Sequence, residues 1–232
     1  SHRPKVLHQL AGLPLVEHVL RAASTLTPTR TGVVVGHQAD TLRKALAVHT
    51  SLHFALQARQ LGTGHALLQA EPIFERQQGT LVVLSGDVPL VQPTTLQSLV
   101  ETHERASAAI TVLTATAVRP YGYGRILRQN GQLSRIVEER DASEAQRQVK
   151  EINSGIYALD LEPLFEALRE IPMKGAADEI YLPGLVSIYR RRGLPVETVA
   201  VATPDEVRGI NSQTELAEVG RIVRQTKNEE LM

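Results

Sequence analysis

Leu81-Val82-Val83-Leu84-Ser85-Gly86-Asp87-Val88-Pro89-Leu90 decides the fold. Four apolar residues in a row, two of them β-branched, stop at Ser-Gly-Asp. A run that is apolar on both faces reads as a buried strand, expected to lie in a parallel sheet. Just past its carboxyl end stands the carboxylate of Asp87. Ligands of open α/β sheets bind in the crevice at that end, so Asp87 is placed where a ligand or metal would sit. Gly86 beside it allows close approach of a ligand or of another backbone. A plain strand followed by a polar turn is the alternative reading of the same ten residues.

Upstream, the chain alternates strand and helix. An apolar rhythm over 15–26 (Val16, Val19, Leu20, Ala23) predicts a helix. A short strand follows at 32–36, then a helix over 37–48, a strand over 52–56 and a helix over 64–74. Beyond Asp87 a further helix spans about 94–105. Strand–helix alternation with short connections implies right-handed crossovers and a parallel sheet.

Downstream, the rhythm changes. Strands are expected at 109–114, 124–127 and 133–137, the last two joined by Asn130-Gly131, a hairpin signal. Another strand covers 152–159. Helices follow near 161–170, with Asp160 as N-cap, and near 178–192. A strand at 196–201 precedes a last amphipathic helix, opened by the capping-box pattern Ser212-Gln213-Thr214-Glu215. The expected fold class is α/β: a Rossmann-like, mixed but mainly parallel sheet flanked by helices, with a small antiparallel insertion.

Composition narrows the function classes. The 232 residues carry 25 Lys plus Arg against 25 Asp plus Glu, 42% hydrophobic residues and no cysteine. Balanced charge gives no electrostatic footprint for nucleic acid or membrane. Without cysteine there are no disulfides and no thiolate metal sites. No apolar run approaches the roughly 18 residues of a membrane span, and no signal peptide is visible at the start. A cytoplasmic setting is the expectation. HExxH and GxSxG motifs are absent, which argues against a zincin-type site and a hydrolase triad.

Several polar residues stand out. In Gln57-Ala58-Arg59-Gln60-Leu61-Gly62-Thr63-Gly64-His65-Ala66 a strand ends, glycines break the chain and a helix begins. A helix start favours anions, and Gln57, Gln60 and Thr63 suggest readout of a planar polar ligand. A tight turn explains the glycines equally well. Gly122-Tyr123-Gly124 either lies against something flat or is a flexible turn with surface tyrosines. Glu138 continues a strand toward a cleft, whereas Glu139 and Asp141 read as a solvated charge run. Asn153 interrupts an apolar strand, and a buried Asn must be hydrogen-bonded by the protein or by a ligand. Lys5 reads by itself as a solvated lysine, and Asn211 as a loop residue or cap.

Taken in order, Ser1-x-x-Pro4-Lys5, Gln57-Ala-x-Gln60-Leu-Gly62-Thr63-Gly64-His65-Ala66, Gly86-Asp87-Val-Pro89-Leu90, Gly122-Tyr-Gly124-Arg125, Ile136-Val137-Glu138, Glu151-Ile152-Asn153-Ser154-Gly155 and Gly209-Ile210-Asn211 resemble one family. It is the pyrophosphorylase domain of bacterial N-acetylglucosamine-1-phosphate uridyltransferases, and the resemblance covers essentially the whole chain. It implies a fold of the nucleotide-diphospho-sugar transferase type. It implies a Mg²⁺-dependent reaction of UTP with N-acetylglucosamine 1-phosphate, giving UDP-N-acetylglucosamine and pyrophosphate for cell-wall and lipopolysaccharide synthesis. Gln57, Gly62 and Thr63 would hold the uracil, and Ser85 and Gly86 would lie near the nucleoside. Lys5 would contact phosphates, and Asp87 and Asn211 would ligate the metal. Gly124, Glu138 and Asn153 would bind the sugar, with Asn211 at its edge and Glu179 and Tyr181 bordering it. After Tyr181 the family has Leu-Thr-Asp; this chain has Leu182-Pro183-Gly184.

The resemblance also implies more than the chain contains. A leading strand with a Gly-x-Gly-Thr-Arg loop is expected before Ser1. A β-helical acetyltransferase domain is expected after Met232, and in the family homotrimers form largely through it. On this reading residues 1–226 are the transferring domain and 227–232 begin a linker. Two other readings remain: a transferase of another base or sugar, and a catalytically silent regulatory protein that binds nucleotide-sugar.

Overall fold

The computed structural model describes residues 4–173 and 178–230, with side chains described through Arg224; Ser1 of the first motif lies outside the described residues. After a 3-10 turn at Lys5–Leu7 come β1 (Gln9–Leu10), β2 (Leu13–Pro14), α1 (Leu15–Ser24), β3 (Thr31–Val35), α2 (Ala39–Ala45), β4 (Leu52–Leu56), α3 (Thr63–Gln69), α4 (Glu71–Phe74), β5 (Thr80–Val83) and α5 (Pro93–Arg105). The second half holds β6 (Ile110–Thr116), β7 (Arg125–Gln129), β8 (Gln132–Val137), α6 (Glu144–Arg147), β9 (Glu151–Asp160), α7 (Leu161–Arg169), α8 (Gly184–Arg191), β10 (Val196–Ala200) and α9 (Gln213–Glu230).

The main sheet runs β10-β6-β9-β7-β8, with β5 also on β9. β3 and β4 pair separately, in parallel, with α2 as their crossover. The class is the expected mixed α/β, but the balance of directions differs. β6 and β10 are parallel, whereas β9 runs antiparallel to β5, β6 and β7. The strand of the opening ten residues is therefore antiparallel to its neighbour, not parallel. Its apolar run reflects burial of both faces rather than strand direction: Leu81 and Val83 pack into one core cluster and Leu84 into another. Residues such as Leu99, Val112, Leu113 and Leu164 are completely buried, and each contributes about 1.5–3 kcal/mol of transfer free energy.

Two helix boundaries also differ from expectation. The helix expected over 64–74 is two pieces, because Pro72 supplies no N–H and its ring clashes with the preceding turn. The helix expected from 178 begins at Gly184 instead. Pro183 disfavours the α region for the residue before it, and the backbone of Ile180 is already bonded to Leu61 and Gly64.

The hairpin turn forms as read, with Asn130 at φ 52° and Gly131 at φ 79°, the left-handed pair that a type I′ turn demands. One irregularity matters more for function. The register of β9 against β6 slips between Val112 and Thr114, and Gly155 has φ +79°. The bulge is fixed by the Ser154 hydroxyl, which donates to Leu113 O at 2.6 Å. Bulges re-aim side chains beside active sites. Here the bulge divides β9 into a half that pairs with β5 and an end that meets β7, with Asn153 between them.

Candidate functional site

Asp87 follows the end of β5, and its backbone carbonyl accepts from Ile210 N at 3.0 Å. That bond fixes the 209–211 segment beside the Asp87 turn. The capping box then holds Asn211. Glu215 N donates to Ser212 Oγ at 3.1 Å, while the Glu215 carboxylate accepts from the N–H groups of Asn211 and Ser212 at 2.6 and 2.9 Å. The Asn211 N–H is the chief reason the Glu215 carboxyl lies below the usual carboxylate range. Lys5 arrives from the N-terminal 3-10 turn, anchored by buried Leu7. Its ammonium donates to Asp87 Oδ2 at 2.5 Å and to Asn211 Oδ1 at 2.8 Å. Three residues from the two ends and the middle of the chain thus converge on one point.

That point tests whether a metal fits. Asp87 and Asn211 aim two hard oxygens at one cation, here the Lys5 ammonium, and hard oxygen donors are what Mg²⁺ requires. The pair fits a Mg²⁺ that completes its shell with phosphate oxygens or water. Among the described residues no group of three or more His, Cys, Asp or Glu offers a protein-only alternative.

Tyr123, expected as a surface tyrosine or a turn residue, stands beside this pair. Burial pushes its phenol up, and the Asp87 carboxylate adds to the shift, against a hydrogen bond from the Gly209 backbone. Tyr121, by contrast, is exposed. Gly86 faces protein rather than open space: a methyl built on it would lie 3.3 Å from Val6 Cγ1.

The loop over 57–66 is braced from within. The Gln57 amide donates to Gly62 O at 3.0 Å and lies 3.0 Å from His65 Nδ1. Thr63 Oγ1 accepts from Leu182 N at 3.0 Å. Two of the three side chains that suggest ligand readout, Gln57 and Thr63, therefore also shape the loop. Gly62, at φ 93° and ψ 175°, adopts a conformation open essentially to glycine alone. A cleft of about 560 Å³ lies alongside, lined by Gly36, His37, Leu56, Ala58 and Gln60.

The expected sugar group comes together as a cluster. A methyl on Gly124 would sit 3.3 Å from Glu138 Oε1 and 3.5 Å from Asn153 Cβ. Asn153 is bonded by the protein: its Nδ2 donates to Tyr157 Oη at 2.7 Å and its Oδ1 accepts from Gly155 N at 3.1 Å. Ser85 Oγ lies close by, 3.6 Å from where a Gly155 methyl would be. Asn211 falls with Asp87 and Lys5. Tyr181 takes part in a third group, its ring 4.6 Å beneath the Arg140 guanidinium and its hydroxyl bonded to Glu179, which Arg140 meets at 3.3 Å.

Sequence reasoning missed the brace behind the Gly124–Glu138–Asn153 cluster. Arg125 is 1% exposed. It donates to Glu139 at 2.5 Å and to the Tyr123 carbonyl, while Gly122 N donates to Glu139 at 3.2 Å. Glu139 is thus no member of a solvated run, and Arg125 is foremost in lowering its carboxyl. A buried guanidinium needs a carboxylate partner, but nothing local to Arg125 identifies which one.

A central mixed sheet carries a braced glycine loop at a helix start and a carboxylate–amide pair, in a chain of the α/β nucleoside-triphosphate transferase class. Two solved structures share the fold: UDP-glucose pyrophosphorylase with UDP-glucose (TM-score 0.74, 16% identity, 96% of this chain and 91% of that one) and its apo form (TM-score 0.75, 16% identity, 97% and 91%). Residues 1–170 match the MobA-like NTP transferase domain, and the chain belongs to that family. It is 43% identical over 229 residues to the bifunctional protein GlmU of Streptococcus mutans, covering 98% of this chain and 50% of the relative. It is 44% identical over 229 residues to the GlmU of Geobacter metallireducens, covering 98% and 48%. The chain spans about half the length of these relatives.

Proposed function

We propose that this chain transfers uridylyl groups, making UDP-N-acetylglucosamine and pyrophosphate from UTP and N-acetylglucosamine 1-phosphate in the cytoplasm. A phosphate oxygen of the sugar phosphate attacks the α-phosphorus of UTP in line. The bond between the α-phosphorus and the bridging oxygen breaks, and pyrophosphate leaves with that electron pair. The observation that carries the reading is the convergence of the Lys5 ammonium, Asp87 and Asn211 on one point. Family membership and likeness to GlmU over the whole chain support it.

Such chemistry asks the protein for positioning and charge stabilisation more than covalent work. Gln57, Gly62 and Thr63 hold the uracil, while Ser85 and Gly86 line the nucleoside. Glu138 and Asn153, packed against Gly124, orient the sugar, and Tyr181 borders it. Lys5 meets the phosphates. Asp87 and Asn211 would hold Mg²⁺, which when bound neutralises phosphate charge.

Asp87→Ala should lower Mg²⁺-dependent pyrophosphate release by at least about 10²-fold, measured by a coupled phosphate assay. Near-full activity would sink the assignment. Running the wild type against other nucleoside triphosphates and sugar phosphates identifies the neighbouring readings. A better substrate than UTP with N-acetylglucosamine 1-phosphate replaces this one. Binding of UDP-N-acetylglucosamine without turnover of any pair makes the protein a nucleotide-sugar sensor.

A further inference from the structure

The Lys5 ammonium lies on the same two oxygens that the metal reading needs, Asp87 Oδ2 at 2.5 Å and Asn211 Oδ1 at 2.8 Å. The ammonium holds both oxygens and brings a positive charge to the place a divalent cation would take, so the two compete for the pair. We propose that Lys5 is the resident counter-ion of this pair, so that a divalent metal enters with the triphosphate and not ahead of it. The proposal rests on the assignment of Asp87 and Asn211 as the metal pair.

Three observations favour it. The pair is poor by itself, one carboxylate and one amide, while Mg²⁺ gives up its water reluctantly and binds best where substrate phosphates add oxygens. Second, the pair does not depend on Lys5 for its shape. The Ile210–Asp87 backbone bond and the Glu215 cap fix both residues through the main chain, so the lysine can leave without collapsing the site. Third, Lys5 is free to leave. Its side chain is 43% exposed, on a flexible four-carbon stem that can carry a compact charge from one anion to another. An arriving triphosphate offers the ammonium new acceptors and offers the metal the oxygens it lacks. Lys5 therefore acts twice, first keeping the bare pair closed to metal and then contacting phosphate.

The test is Mn²⁺ binding by electron paramagnetic resonance, on wild type, Lys5→Met, Lys5→Arg and Asp87→Asn, with and without UDP. Without nucleotide, Lys5→Met should bind Mn²⁺ roughly three- to tenfold more tightly than wild type, from loss of a cation held at about ion-pair distance in a partly solvated site. Lys5→Arg should bind as weakly as wild type. UDP should tighten Mn²⁺ binding in wild type far more than in Lys5→Met. Unchanged or weaker Mn²⁺ binding by Lys5→Met, with Asp87→Asn losing the ion, overturns the counter-ion role and leaves the metal pair standing. Undiminished Mn²⁺ binding by Asp87→Asn in the UDP complex overturns the metal pair itself.

Discussion

Gly62→Ala tests the proposed base-binding loop most sharply, because the structure separates its cost into parts. At φ 93° and ψ 175° the backbone conformation alone costs a side-chain-bearing residue about 1–3 kcal/mol. The added methyl would also collide with Ile180 O and lie 3.0 Å from its carbonyl carbon. Ile180 cannot yield freely. Its N–H donates to Leu61 O and its carbonyl accepts from Gly64 N, both at 2.8 Å, and losing either bond costs about 0.5–1.5 kcal/mol net. The total is about 2–6 kcal/mol against a domain stability of order 5–15 kcal/mol, so the variant folds but with a displaced loop. Gly79→Ala is the reference: its φ is +96° and nothing lies within 4 Å of the new methyl. Urea unfolding should show Gly62→Ala less stable than Gly79→Ala by about 1–3 kcal/mol. Equal destabilisation refutes the claim that Ile180 clamps the loop. Calorimetric titration should show UTP affinity at least about tenfold lower in Gly62→Ala than in Gly79→Ala, which is about 1.4 kcal/mol of binding free energy. A destabilised Gly62→Ala that binds UTP normally refutes the assignment of this loop to the base.

Two further outcomes follow from the same geometry. Glu215→Ala should cost only about 0.5–1 kcal/mol of stability through the lost cap, yet raise the Mg²⁺ concentration needed for half-maximal activity several-fold, because Asn211 loses its anchor; Glu215→Gln, which keeps an acceptor, should recover part of it. The Glu215 carboxyl is held below its usual range, so its stabilisation is present above that range and disappears as pH falls through the lower folded value; acid unfolding of Glu215→Gln should be correspondingly flatter. Burial lowers the pKa of His103, against the opposing charge of Asp160, with its Nδ1 3.0 Å from Thr111 Oγ1. The unfolded chain then binds the extra proton first, so stability falls as pH drops below about 6.5. Thermal unfolding of His103→Gln between neutral and mildly acid pH should lack that slope; an unchanged slope excludes His103 as its source.

Much of this site was legible in the chain because its signals are local. Asn130-Gly131 imposes left-handed backbone, Ser212 and Glu215 satisfy N–H groups within one helical turn, and glycines interrupt the 57–66 loop where a side chain would collide with Ile180. Period and turn chemistry need only neighbours a few residues away. Pro72 divides the helix expected over 64–74 because its effect on the preceding turn outweighs the apolar rhythm around it.

What the sequence by itself determined is most of the elements, the mixed α/β class and the candidate residues of the site. The tertiary structure alone decided who meets whom. It set β5 antiparallel to β9, paired buried Arg125 with Glu139, stacked Arg140 on Tyr181, and placed the Lys5 ammonium between Asp87 and Asn211. Strand direction depends on which distant strand arrives alongside, and an apolar face is the same either way round. Charge pairing likewise depends on distance through space, where Coulomb attraction acts and chain separation does not enter.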